Sequence, residues 1–304
     1  MSSLSIFTGQ KQESNFEKYK SDYWVVTSCT PQYLPGLIAL RNSLEIFFPE
    51  SKLACFYYDQ GTKYKLPDRV EYIFNAPMLG PVVDANGAFR HGLKLGPDMY
   101  SRLLIPKYFS GKAFYVDVDC IVINSLKEAW DLDLEGHPTA CVWREDIGWV
   151  GGNIHDSMAS GTYLCDTDRW EELLLVEKVF EVMKNYVEGN IKRTFKVNVE
   201  SALSFVHEEN YKKLHRAYQN LAYYYSLCRK DKIIHWGGPK PWDIQNHRST
   251  RPTRDWRANY VNLWEAVYDY DVENTNRLLD KLPKEFPPKQ QVGSHQAKIH
   301  GKNL

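Results

Sequence analysis

Asp117 and Asp119 end the apolar run Lys112-Ala113-Phe114-Tyr115-Val116 with two carboxylates one residue apart. Side chains alternate along an extended chain, so both acids are expected on one side of the backbone, with Val116 and Val118 on the other. Two carboxylates held together in a cleft repel and raise one another's pKa unless a hard divalent cation lies between them. Mg²⁺ or Mn²⁺ suits such an oxygen pair. A lone D-x-D also serves as a turn or helix cap, and its position directly after four apolar residues is what favours the metal reading.

Other stretches carry groups suited to the same chemistry. Asp231 to Ile234 reads as a strand that opens into His235-Trp236-Gly237-Gly238-Pro239-Lys240-Pro241-Trp242. Its breakers expose backbone amides beside one imidazole and one ammonium, which makes a local anion site with an additional metal ligand. Arg102 lies in Asp98 to Pro106, read as a short amphipathic helix leading into the acid strand, from which a guanidinium reaches a phosphate or carboxylate. Pro77 to Pro97 holds four glycines and three prolines together with Arg90, His91 and Lys94. It reads either as a loop closing over a ligand or as a surface excursion.

These groups must be positioned by strands and helices. Tyr23 to Ser28 reads as the first strand, followed by a helix with Leu37, Leu40, Leu44 and Phe47 on one face, Pro35 in its first turn and Pro49 beyond its end. Leu53 to Tyr58 and Val70 to Phe74 read as strands. The alternation describes an α/β unit whose ligands bind at the carboxyl ends of a parallel sheet. Thr139 to Trp143 and Gly161 to Cys165 read as further strands, with helices over Trp170 to Tyr186, Val197 to Val206 and Trp256 to Leu279.

At 304 residues and 43% hydrophobic content the chain can bury a large core. No run approaches the roughly 18 apolar residues of a membrane span, and Met1 to Lys20 lacks the apolar region of a signal peptide. Lys+Arg and Asp+Glu both number 38, so bulk charge argues against general nucleic-acid binding. Six scattered cysteines without C-x-x-C spacing read as buried reduced thiols, and no N-x-S/T sequon occurs. A cytoplasmic protein is expected. The tail from Pro283 has four lysines against one glutamate and is expected to be a solvated, flexible segment rather than a membrane-binding one.

Two families bear on the acids. Tyr115 to Ile121 nearly spells the aspartyl-nucleophile motif of phosphatase-like hydrolases, but that motif usually opens its domain, and that class has no use for the stretch at His235. Residues 23 to 245 resemble the family 8 retaining glycosyltransferases of the GT-A class, which include glycogenin and galactinol synthases. Four stretches carry the likeness: Val25-Val26-Thr27-Ser28 with Tyr33-Leu34-Pro35-Gly36; Tyr100-Ser101-Arg102-Leu103 with Ile105-Pro106; Tyr115-Val116-Asp117-Val118-Asp119 with Leu126 and Trp130; and His235 to Trp242.

The resemblance implies an α/β, GT-A nucleotide-diphospho-sugar transferase fold, a mixed and mostly parallel central sheet flanked by helices. It divides the chain into a polar lead-in (1–21), the transferase domain (22–250), a C-terminal helical appendix (251–282) and the basic tail (283–304). It implies transfer of a hexose from a UDP-sugar to a glycan or other hydroxyl acceptor, with an α-linkage. Asp117, Asp119 and His235 would ligate Mn²⁺ or Mg²⁺. Thr27, Ser28 and Tyr33 would hold the uridine; Gly238 and Lys240 the diphosphate; Arg102, Val118, Ser160 and Gly161 the rest of the donor.

One residue is missing between Gly238 and Lys240 relative to the family's pattern, and the other departures lie on the sugar-facing side. Met158-Ala159-Ser160-Gly161-Thr162 stands where the family has F-N-A-G-V, and Val199-Glu200 where it has D-Q. Arg102 and Glu200 are the candidate catalytic residues, Glu200 as a group that contacts the donor or stabilises an oxocarbenium-like state. Alternatives are a UDP-sugar binder without turnover, suggested by the altered wall, and a self-glycosylating variant using Tyr223, Tyr224 or Tyr225.

Overall fold

A computed structural model describes residues 17–20, 23–59, 61, 64–76, 100–143, 158–187, 199–207, 210–222, 227–237, 240–246 and 260–286. In chain order the strands are β1 (Tyr19–Lys20), β2 (Trp24–Cys29), β3 (Lys52–Tyr57), β4 (Val70–Phe74), β5 (Phe109–Ser110), β6 (Lys112–Val116), β7 (Cys120–Val122), β8 (Thr139–Trp143), β9 (Met158–Asp166), β10 (Lys212–Lys213), β11 (Asn220–Leu221) and β12 (Ile233–His235). The helices used below are α1 (Leu34–Phe47), α2 (Ile105–Tyr108), α3 (Lys127–Trp130), α4 (Thr167–Glu172), α5 (Leu175–Val187), α6 (Val199–Val206), α7 (Asn262–Tyr268) and α8 (Val272–Asp280).

Seven strands form the central sheet in the order β10-β8-β9-β6-β2-β3-β4. Every strand runs parallel except β9, which is antiparallel to both β6 and β8. The middle strands are buried along nearly their whole length because both faces are covered. Val25, Phe114 and Leu164 pack toward α1 with Leu37, Leu40 and Leu44. Their neighbours Val26, Tyr115 and Tyr163 pack on the other face against Leu103, Leu104, Ile105 and the α5 and α6 residues Val179, Val199 and Leu203.

A second, three-stranded sheet in the order β11-β12-β7 begins one residue after Asp119. Ser43 in α1 ties it down by accepting from Val122 N at 3.0 Å while donating to Leu40 O at 2.7 Å. α7 packs on α1, where Asn42 Nδ2 donates to the carbonyls of Val267 and Tyr268. Ile121, Ile234, Trp236 and Trp264 share the third apolar cluster between these elements. No helix among the described residues is long and apolar enough to cross a membrane. All six cysteines are buried and free.

Several elements differ from their sequence expectation. The acid strand stops at Val116, and Asp117 to Asp119 form a turn closed by Cys120 N donating to Asp117 O at 3.0 Å. Arg102 lies in a 3-10 turn, Ser101–Leu104, that runs into the one-turn α2 rather than in one amphipathic helix. The helix expected over Trp170 to Tyr186 breaks where Leu174 takes φ 51°, and that expected over Trp256 to Leu279 breaks where Tyr270 takes φ 57°. Left-handed backbone at a non-glycine residue ends a helix by sterics. The strand around Gly161 is longer than expected, Met158–Asp166. Arg90, His91, Lys94, Tyr223 to Tyr225, Gly238 and the tail beyond residue 286 lie outside the described residues.

Asp231 anchors the second sheet. Its Oδ2 accepts from Asn220 Nδ2 at 2.7 Å and from Cys228 N at 2.8 Å. Burial pushes its pKa up from 3.8 to about 6, against the pull of those hydrogen bonds and Arg216. A carboxyl raised on folding stabilises the native state fully below pH 3.8, and that contribution is lost as pH rises through about 6. The shift amounts to about 3 kcal/mol. Relative to Asp231→Asn, the wild type is therefore expected to gain about that much stability between pH 7 and pH 4. Urea unfolding of both proteins across that range checks it, and parallel pH dependences would contradict it.

Candidate active site

Three separate stretches meet at the carboxyl end of β6. The antiparallel ladder between β7 and β12 pairs His235 with Cys120, and Trp236 N donates to Asp119 O at 3.0 Å. That register sets the imidazole beside acids far upstream. His235 Nε2 lies 3.2 Å from Asp119 Oδ1 and 3.8 Å from Asp117 Oδ2. On the other side β9 runs beside β6, and Asp117 N donates to Gly161 O at 2.8 Å. A Cβ on Gly161 would stand 2.5 Å from His235 Cε1 and 2.9 Å from Asp117 Oδ2, so only glycine leaves room for ring and carboxylate together.

Arg102, 3% exposed, is committed inward. Its Nη2 donates to Asp117 Oδ1 at 2.9 Å, and its Nη1 donates to Ser160 O at 2.7 Å and Ser160 Oγ at 3.1 Å. The guanidinium also lies over the Tyr115 ring, 4.5 Å from its centroid. Tyr115 donates its hydroxyl proton to Asp117 Oδ1 at 2.8 Å, so Ser28 Oγ, 3.3 Å away, is the donor to the tyrosine oxygen. Both donors to Asp117 meet one oxygen, which leaves Oδ2 turned toward His235.

Lys240 donates from Nζ to Asp119 Oδ2 and, at 2.7 Å, to Trp236 O. The two acids therefore titrate differently. Burial dominates at Asp117 and raises its pKa despite Arg102. Burial would raise Asp119 as well, but the charges of His235 and Lys240 outweigh it and hold that carboxyl well below the usual range. His235 is raised because Asp119 overcomes the burial penalty on its charged form.

The remaining sequence candidates surround this centre. Thr27 is buried within β2, two residues before its end. Tyr33 meets Trp242 edge to face at 6.2 Å between ring centroids. Val118 turns its carbonyl onto Gly36 of α1, where a Cβ would be only 2.4 Å away. Glu200, in the first turn of α6, accepts from Ser160 N at a long 3.4 Å. Sequence reading missed Tyr115 and Cys120 as members of the cluster, and it missed Gln219, whose amide approaches His235 from behind, and Thr162, which contacts that amide. Cys120 Sγ lies within reach of Asp119 and His235, and burial pushes its thiol well above its ordinary pKa.

The chain is 24% identical over 290 residues to General stress protein A of Bacillus subtilis (strain 168), covering 82% of this chain and 97% of that protein. The crystal structure of the glycosyltransferase GlyE from Streptococcus pneumoniae TIGR4 matches it with a TM-score of 0.56 at 17% identity, over 88% of this chain and 66% of that one. The galactosyltransferase LgtC, solved in complex with donor and acceptor sugar analogues, matches with a TM-score of 0.54 at 16% identity, over 88% and 98%. These likenesses establish a common fold. A family model described as glycosyl transferase family 8 matches residues 26–245. That span takes in every member of the cluster, from Ser28 to Lys240, so the phosphatase-like alternative falls away and the chain belongs to glycosyltransferase family 8, with a GT-A fold.

Proposed function

We propose that the chain is a metal-dependent retaining glycosyltransferase that moves a hexose from a UDP-sugar to a hydroxyl of a glycan or other acceptor, forming an α-linkage. The observation that carries this reading is the convergence of Asp117, Asp119 and His235 at a sheet edge that also holds Lys240. LgtC, solved with donor and acceptor sugar analogues, supports assigning both kinds of sugar partner to this chain.

Two carboxylates and an imidazole form a donor set of oxygen and nitrogen that suits Mn²⁺ or Mg²⁺, and Gly161 leaves bare the space where the ring meets Oδ2. Asp117, Asp119 and His235 would hold the ion. When bound, it supplies positive charge against the departing diphosphate.

The chain's own groups do the rest. Arg102 and Tyr115 fix the Asp117 carboxylate through one oxygen and leave the other for the centre. Lys240 brings an ammonium to the same edge, where it serves a developing phosphate charge. Thr27, Ser28 and Tyr33 would hold the uridine, Gly238 and Lys240 the diphosphate, and Val118, Ser160 and Gly161 the rest of the donor. Glu200 contacts the donor sugar or stabilises its oxocarbenium-like state from beside Ser160.

The decisive assay is UDP release from a panel of UDP-sugars, with and without Mn²⁺ and without acceptor. Mn²⁺-dependent release from at least one sugar is the expected result. Thermal stabilisation by a UDP-sugar with no release at any Mn²⁺ concentration would replace the transferase with a non-catalytic UDP-sugar binder.

A further inference from the structure

His235 has two ring nitrogens, and only Nε2 faces the acids. Nδ1 faces the side-chain amide of Gln219 at 3.2 Å. As placed, the amide turns Nε2 to Nδ1 and Oε1 to Thr162 Oγ1 at 2.8 Å, and Thr162 Oγ1 is itself 2.7 Å from the backbone carbonyl oxygen of Tyr218. All three side chains are buried, with Thr162 fully so and Gln219 3% exposed.

Counting protons along this row leaves one arrangement. The Tyr218 carbonyl has no proton, so the single hydroxyl proton of Thr162 is donated to it. The Thr162 oxygen must then accept, and only the nitrogen end of the Gln219 amide can supply a proton to it. The two ends of an amide have the same shape, so the hydrogen-bond network decides which is which. The amide oxygen is thereby turned to His235, where it can only accept, and Nδ1 must carry a proton. This holds whether the ring is neutral or charged.

We propose that Gln219 is a positioning residue that, braced by Thr162, keeps a proton on His235 Nδ1 and so presents the Nε2 lone pair to the divalent cation. The proposal rests on the metal site put forward above. The fold supports each member of the row independently. Gln219 directly precedes β11, whose pairing of Leu221 with His235 fixes its distance from the ring. Thr162 adjoins Gly161, whose missing Cβ makes room for that ring; a methyl group there would be 2.8 Å from Nδ1. With the opposite tautomer, two lone pairs would face each other in a buried space, at a cost in ligand basicity and orientation.

Two measurements on the full chain decide the matter. Long-range proton–nitrogen spectra of the ¹⁵N-labelled wild type loaded with Cd²⁺ are expected to show His235 protonated on Nδ1 and ligated through Nε2. Mn²⁺ titrations followed by electron paramagnetic resonance are expected to show Gln219→Leu weakening binding by about 10–100-fold. Gln219→Glu, which keeps an acceptor oxygen toward Nδ1 and lets the Thr162 hydroxyl turn its proton onto the second carboxylate oxygen, is expected to remain within about threefold of wild type. A proton on Nε2 with the metal on Nδ1, or Gln219→Leu binding Mn²⁺ as tightly as wild type, overturns the proposal and leaves the metal site standing. A wild type that binds neither ion overturns both. The spectra use the unaltered chain, so they decide independently of how the variants fold.

Discussion

Asp119→Asn is expected to lower UDP-sugar turnover by about 10²–10³-fold, chiefly in kcat, and to abolish measurable Mn²⁺ binding. The substitution preserves shape and removes one charge. That charge now balances both the imidazole of His235 and the ammonium of Lys240, and it keeps the carboxyl ionised despite burial. An asparagine offers one neutral oxygen in its place. Lys240 and His235 then repel one another across the site, and thermal stability should fall together with activity. Steady-state rates with the donor found in the panel, together with Mn²⁺ titration of the variant, test this. Turnover within about threefold of wild type would remove Asp119 from the chemistry.

Gly36→Ala is the second large effect. In the first turn of an ordinary helix this change stabilises by about 0.5–1 kcal/mol, because alanine loses less backbone entropy on folding. Here the added Cβ would stand 2.4 Å from Val118 O and 2.8 Å from Trp242 Cη2. Backbone cannot swing aside as a side-chain tip does, and overpacking of this kind costs about 1–3 kcal/mol, so the clash outweighs the entropy gain. A net loss of about 1 kcal/mol in urea unfolding is expected. The atom that must yield is the carbonyl between Asp117 and Asp119, so activity should fall further than stability alone explains. A variant as stable as wild type would show that the turn after β6 is not pressed against α1.

Much of the scaffold was legible because buried parallel strands need apolar residues on both faces, and amphipathic helices need one apolar stripe. β3, β4, β6, β8 and α1 fall close to where those patterns put them. Interruptions were less legible. Nothing in the periodicity from Trp170 to Tyr186 announces that Leu174 adopts a left-handed conformation. Such a residue is chosen by the packing of the two helices it joins, not by local propensity.

The site divides in the same way. The sequence by itself determined the chemical inventory: two acids after an apolar strand, an imidazole and an ammonium among glycines and prolines, and a guanidinium upstream. It also located the acids at a strand's carboxyl end. Only the tertiary structure decided how they meet. Asp117 and Asp119 converge through a turn rather than through strand alternation, and the β7–β12 register brings His235 to them. Arg102 is spent on Asp117 and Ser160, and Gln219 takes up the back of the imidazole. Local patterns reflect which residues a strand or helix tolerates, whereas a hydrogen bond between residues distant in the chain depends on the register of strands paired across the fold, which no local pattern encodes.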